Sequence, residues 1–286
     1  IAFFVMAVVA SFPNLFIGIS SALHGIPELS FGDVVGNSVV DLTLVAALAV
    51  FFGKELIADG KLIQTSSFFT IGVAILPLAL ILDGELGRED AVVLLSVFVL
   101  YSVWLFSKRK EYTEIFEVPD SLASQPAVKG FGRFLASLGG VVLAVVCMVF
   151  AAEGAVRAVS FFAKEFHLAL PMLGILVVGF SSALPEITVT IVSARKGKSN
   201  IILGDLMGTV IVMATLVLGV VALIKPIQVA DFSPFAIARV FLVVSALFFL
   251  IFLRTGRKIT RREGLLLFFL YLSFVIAEIM FHKPIE

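Results

Sequence analysis

Two carboxylates stand where water does not reach. Glu186 follows Pro185 inside the apolar run 168–194, and Asp41 lies well inside the run 29–52. At the α-helical rise, Glu186 sits ~14 Å from one end of its run and Asp41 ~18 Å from the start of its own. Both depths are close to the middle of a ~30 Å hydrocarbon layer. A carboxylate there is expensive and marks an ion or proton path. Neutral oxygens gather around the two acids. Asp33, Asn37 and Asp41 follow one another at i, i+4 and share one helix face. Asn14 follows Pro13 as Glu186 follows Pro185, and Ser11 and Ser182 each lie about one turn before those residues. Asp205, Thr209 and Met213 repeat the spacing of the Asp33 stripe. Oxygen donors without Cys or His describe a hard-cation site, suited to Ca²⁺, Na⁺ or Mg²⁺. Pro13 and Pro185 lack the N–H that a helix needs, so carbonyls a turn earlier are released as further ligands. Asp33 and Asp205 lie four to six residues from opposite membrane faces. They are expected to act as gate or secondary ion contacts, or as carboxylates facing a helix N-terminal dipole.

The elements that must carry these residues are membrane helices. The chain has 286 residues, 60% of them hydrophobic, 29 of them Phe, with only 15% charged and a mean hydropathy of +1.13. That composition excludes a water-soluble enzyme. Zero net charge, with Lys and Arg in short tufts, excludes a nucleic-acid binder. A single cysteine, Cys147, excludes a disulfide framework. Nine apolar segments are legible, at roughly 1–22, 29–52, 65–82, 91–107, 133–160, 168–194, 200–224, 233–253 and 264–281. The polar stretch 108–132, with Pro119 and Pro126, divides residues 1–107 from 133–286 and is expected to be a cytoplasmic linker. With its Lys108, Arg109, Lys110, Lys129 and Arg133 inside, alternation puts Lys54, Lys61, Arg195, Lys196, Lys198, Arg254, Arg257, Lys258, Arg261 and Arg262 inside too. Only Arg88, Lys164, Lys225 and Lys283 then fall outside, a strong positive-inside bias. The expected location is the cell membrane, with the bilayer as the main partner.

The halves repeat each other at an offset of 172 residues. Pro13 meets Pro185, Gly32-Asp33 meets Gly204-Asp205, Gly36 meets Gly208, Thr43 meets Thr215 and Ala58-Asp59 meets Ala230-Asp231. After a two-residue slip, Arg88-Glu89 answers Arg262-Glu263. The loop after the first segment is outside while its equivalent is inside, so the repeats are inverted, as in many secondary transporters. The expected fold is an all-α polytopic membrane protein of two inverted-topology repeats of five helices. Nine helices are present, and a tenth is expected ahead of Ile1, which already lies in an apolar run.

Ser181-Ser182-Ala183-Leu184-Pro185-Glu186 and Gly204-Asp205-Leu206-Met207-Gly208-Thr209 resemble the repeat motifs of the sodium/calcium exchanger, or cation/calcium antiporter, superfamily. Val9-Ala10-Ser11-Phe12-Pro13-Asn14 and the stretch from Gly32-Asp33 to Asp41 resemble the first copy. The resemblance implies ten helices and alternating access, with Glu186 and Asn14 facing each other at a central ion site. It implies Asp41 and Met213 as the facing pair, with Ser11, Ser182, Asn37 and Thr209 as flanking oxygens. The transported ions would be Ca²⁺ and Na⁺, or H⁺, with no cofactor and no enzymatic activity. Four positions depart from the family pattern: Asn14 replaces a usual Glu, Met213 a usual acid or amide, and Ala10 and Ala183 usual hydroxyls. With Asp41 and Glu186 as the central acids, one Ca²⁺ is neutralised and three Na⁺ are not. Proton coupling and other divalent ions therefore stay open.

Two readings of another class compete. An intramembrane aspartyl protease would use Asp33 and Asp205, which must then share a proton at close range. A cation channel could use the same polar stripe without alternating access. Glu153 and Arg157, at i, i+4, are expected to form a salt bridge. His24, His167 and His282 fall in outer loops or at the terminus and are expected to be exposed surface histidines.

Overall fold

The computed structural model describes residues 7–107, 131–229 and 233–281. The expected linker lies outside them except for its last two positions, which already belong to a helix; Ile1 and His282 also lie outside the described residues. The helices are α1 (Phe12–Leu23), preceded by helical residues 7–10, and α2 (Glu28–Phe52). There follow α3 (Lys61–Leu80), α4 (Arg88–Ser107), α5 (Phe131–Glu165), α6 (Leu170–Arg195), α7 (Ser199–Ile224), α8 (Ser233–Arg254) and α9 (Arg261–Phe281). Among the described residues eight helices are long and apolar enough to cross a membrane, and α1 is a shorter apolar helix. Each matches an apolar run of the sequence, because a backbone in lipid must satisfy its own N–H and C=O groups within the segment.

Local geometry repeats at the same offset as the sequence. The first break is a turn at Ser11, after which α1 starts at Phe12 with Pro13 in its first turn. In α6 the helix interrupts at Ala183 and restarts at Leu184 with Pro185 in the same place. A proline costs nothing there, because the first N–H groups of a helix have no partner within it. Helix α2 widens to a π turn over Asp41–Val45, and α7 widens over Met213–Val217. A wide turn displaces carbonyls from their usual partners. In each copy a threonine hydroxyl compensates: Thr43 donates to the Val39 carbonyl, and Thr215 donates to the Ile211 carbonyl at 2.6 Å.

Two short antiparallel ladders tie the halves together. β1 (Leu56–Ile57), after α2, pairs with β4 (Lys258–Ile259), after α8. β2 (Glu85–Leu86), after α3, pairs with β3 (Ile227–Gln228), after α7. The repeat exchanges β1 with β3 and β2 with β4, so the two ladders are images of each other about a pseudo-two-fold. They also fix relative sidedness: the α2–α3 and α8–α9 loops share one end of the bundle, and the α3–α4 and α7–α8 loops share the other. Helices α2 and α7 form the centre, most of each buried by protein, while α5 turns nearly all its apolar surface outward. Sequence alone gave no sign of the ladders, since two-residue strands carry no periodicity.

At one end of α5 the expected pair forms, with Arg157 Nε donating to Glu153 Oε1 at 2.7 Å. The same carboxylate accepts from Ser20 Oγ at 2.9 Å and meets His24 Nε2 at 3.1 Å. His24 is exposed, as expected, and in addition joins α1 to α5.

Candidate ion-binding site

The site begins with a close crossing of α2 over α6. A Cβ on Gly36 would overlap the Ile175 carbonyl, and one on Gly174 would lie 2.7 Å from the Leu29 carbonyl. Only glycines permit this approach, the membrane equivalent of small residues at a helix crossing. It brings the polar stripe of α2 onto the end of the first half of α6. Ser182 Oγ donates to Asp33 Oδ1 at 2.8 Å and accepts from Asn37 Nδ2 at 3.2 Å. One hydroxyl thus joins three of the candidate residues across two helices.

The acids converge further than spacing along each helix suggested. Asp41 lies within electrostatic reach of Glu186 and Asp205. Glu186 is within reach of Asp205 and Asp33. All four are removed from solvent, at 0% exposure for Asp33 and Asp41, 2% for Glu186 and 7% for Asp205. Several of their oxygens accept no hydrogen bond from the described residues: both of Asp41, Oδ2 of Asp33 and Oε2 of Glu186. Asn37 Oδ1 and Thr209 Oγ1 are in the same position. Buried carboxylate oxygens without donors are costly unless a cation or a proton compensates them. Among the described residues no three acidic, His or Cys side chains form a ready cage for one metal ion. An ion bound here must take neutral oxygens as well, which is how Ca²⁺ and Na⁺ are usually held.

The remaining candidates divide. Asn14 Nδ2 donates to Met213 Sδ at 3.2 Å, so two of the four positions that depart from the family pattern touch each other. Ser11 is buried but its hydroxyl donates to the Ala7 carbonyl at 2.8 Å, stitching the break in its own helix. Pro13 and Pro185 have no N–H to offer Val9 and Ser181, four residues earlier, and release those carbonyls. Thr190 was missed by sequence reasoning. It is fully buried one turn after Glu186, with a hydroxyl that meets no partner among the described residues. Its i+4 spacing from a buried acid was the available signal. The proton-sharing pair that a protease requires does not form: Asp33 takes its bond from Ser182, and no Asp33–Asp205 hydrogen bond occurs among the described residues.

A cavity of about 390 Å³ between α1, α5 and α6 reaches the site. Its walls include Pro13, Asn14, Ser181, Ser182 and Pro185, with Ala155, Val159 and Phe162 of α5 closing the far side. Both helix breaks and the Ser182 bridge therefore border one space.

Comparison with known proteins agrees with this architecture. The family model described as sodium/calcium exchanger protein matches residues 1–107 and 136–280. The inner membrane protein YrbG of Escherichia coli is 25% identical over 270 residues, covering 92% of this chain and 81% of the relative. The sodium/calcium exchanger MaX1 of Methanosarcina acetivorans is 34% identical over 146 residues, 51% of this chain and 41% of the relative. The solved structure of the sodium-calcium exchanger NCX_Mj superimposes with a TM-score of 0.65 at 21% identity, covering 96% of this chain and 84% of that one. The chain belongs to the sodium/calcium exchanger family of membrane cation antiporters.

Proposed function

We propose that this antiporter exchanges Ca²⁺ for Na⁺ by alternating access at a midplane site built on Asp41 and Glu186. The observation that carries the reading is the set of buried carboxylate oxygens, both of Asp41 and one of Glu186, that accept no hydrogen bond from the described residues. A Ca²⁺ ion needs six to eight oxygens. Asp41 and Glu186 supply the charge, Asn37, Thr209 and Ser182 the neutral oxygens, and the Val9 and Ser181 carbonyls the rest. Asp33 and Asp205 stand within reach of Glu186 as secondary ion contacts. They add negative charge to a count that would otherwise balance a single Ca²⁺. The inverted halves, 1–107 and 133–286, would exchange roles as the site opens alternately to each side. The names of MaX1 and NCX_Mj, both sodium/calcium exchangers, support Na⁺ and Ca²⁺ as the ions. The basic loop ends, with the 108–132 linker, would face the cytoplasm.

A second coupling ion is favoured by one contact. Asn14 and Met213 satisfy each other, and a thioether is a poor ligand for a hard ion. That corner of the site offers Na⁺ little, so proton coupling at the remaining acids is the alternative. The test is ⁴⁵Ca²⁺ uptake into proteoliposomes loaded with Na⁺ and diluted into Na⁺-free buffer. Uptake that requires the Na⁺ gradient supports Na⁺/Ca²⁺ exchange. Uptake driven only by a pH gradient overturns the sodium reading and leaves the calcium reading intact.

A further inference from the structure

At the end of the bundle that carries the β1–β4 ladder, a second cavity of about 690 Å³ opens away from the ion site. It lies where α2 and α6 end and where α7 and α9 begin, and its lining includes Phe52, Gly53, Lys54, Arg195, Ser199 and Arg261. Three of these are cations. Among the described residues none of the three forms an ion pair with a carboxylate, whereas the neighbouring Lys258 is held by Glu55 at 2.9 Å. The guanidinium of Arg195 lies over the Phe52 ring, 5.2 Å from its centroid. Arg261 Nη2 reaches the Gly53 carbonyl at 3.4 Å, a long contact that uses one of its five donors. Helix termini roughly cancel here, because two carbonyl ends and two amide ends meet. The three side-chain charges are left to dominate.

The other copy of the repeat carries two of these three charges. Aligned through the ladders that the repeat exchanges, the positions equivalent to Lys54, Arg195 and Arg261 are Lys225, Leu23 and Arg88. The same corner at the opposite end of the bundle therefore lacks only the cation at the Arg195 position. There Lys225 takes the role that Arg261 has here, donating to the Gly25 carbonyl at 3.1 Å.

We infer that this cavity binds a phosphate group. Two arginine forks and a lysine, held around a half-open space at a membrane helix end, are the chemistry that recognises a phosphate oxygen cluster. Basic pockets between membrane helices take anionic lipid headgroups by the same means. The phosphate can be carried by an anionic phospholipid, with its acyl chains against the neighbouring helices, or be free in solution.

The experiment is native mass spectrometry and thermal melting of the purified chain with phosphatidylglycerol or phosphatidylcholine, with and without inorganic phosphate. The expected result is that phosphatidylglycerol is retained and raises the melting temperature while phosphatidylcholine does neither. The double variant Arg195→Gln, Arg261→Gln should lower that affinity about thirtyfold, from ~1 kcal/mol per basic residue at a membrane surface. Arg254→Gln, a basic residue outside the cavity, should leave it unchanged, and Arg195→Lys with Arg261→Lys should retain part of it. Displacement of the lipid by inorganic phosphate would assign the site to the free anion, and resistance to displacement would assign it to the lipid. Equal retention of both lipids with no effect of phosphate would overturn the site. So would undiminished retention in the double glutamine variant when that variant melts and elutes as the parent does.

Discussion

Ser182 joins α6 to α2 through a single hydroxyl, and its removal has a calculable effect. In Ser182→Ala, Asp33 Oδ1 loses a donor at 2.8 Å and Asn37 Nδ2 loses an acceptor at 3.2 Å. A hydrogen bond to a charged group contributes about 1.5–3 kcal/mol and a neutral one about 1 kcal/mol. The serine is half-buried beside a cavity of about 390 Å³, so water can replace part of the loss. A net cost of about 2 kcal/mol follows, close to thirtyfold in an equilibrium constant. If the bridge mainly holds α2 against α6, the melting temperature in detergent should fall by about 4 °C. If it mainly aims Asp33 at the ion, the Ca²⁺ concentration for half-maximal uptake should rise by up to about thirtyfold with the melt unchanged. Ser182→Thr keeps the hydroxyl and should restore most of either effect. A Ser182→Ala protein with parental melting and parental ion dependence would refute the bridge as a working part of the site.

Three other changes test separate parts of the structure. Gly36→Ala puts a Cβ onto the Ile175 carbonyl, so α2 and α6 must separate; the variant should express poorly or melt well below the parent, and normal melting would contradict the close crossing. Thr190→Val removes a buried hydroxyl one turn from Glu186 at nearly constant volume. It should weaken Ca²⁺ uptake while leaving the melt within a degree or two, and unchanged uptake would remove Thr190 from the site. Glu153→Gln removes the carboxylate shared by Ser20, His24 and Arg157. It should raise amide hydrogen exchange at the adjoining ends of α1 and α5, and unaltered exchange would show that the cluster does not hold them together.

Much of the fold was legible because lipid allows few solutions. Apolar runs gave the helices within a few residues, and Pro13 with Pro185 marked both helix breaks, since a proline removes one N–H from the helical ladder. The offset that pairs Gly32-Asp33 with Gly204-Asp205 also pairs Asp41–Val45 with Met213–Val217, yet the π turns themselves were unreadable. Nothing in Asp-Leu-Thr-Leu-Val distinguishes a wide turn from an α-helical one. The site was legible one helix at a time. Spacing set Asp33, Asn37 and Asp41 on a stripe, but only the glycine crossing brought that stripe to Ser182. The Asn14–Met213 contact joins positions 199 residues apart, and its sequence signal was two departures from a pattern, not an attraction between them. Asp33 and Asp205 looked remote because they were measured along their own helices. Packing brings both within reach of Glu186.

The most direct test of the account is Glu186→Gln, which removes one central charge while keeping size and hydrogen-bonding capacity. Equilibrium binding of ⁴⁵Ca²⁺ to the purified variant, compared with the parent, reads the site without depending on the coupling ion. The account predicts that Ca²⁺ binding and Ca²⁺ uptake are both abolished while melting in ion-free buffer stays as high as the parent's or rises, because an uncompensated buried charge has gone. Parental Ca²⁺ binding by the variant would contradict the central role of Glu186.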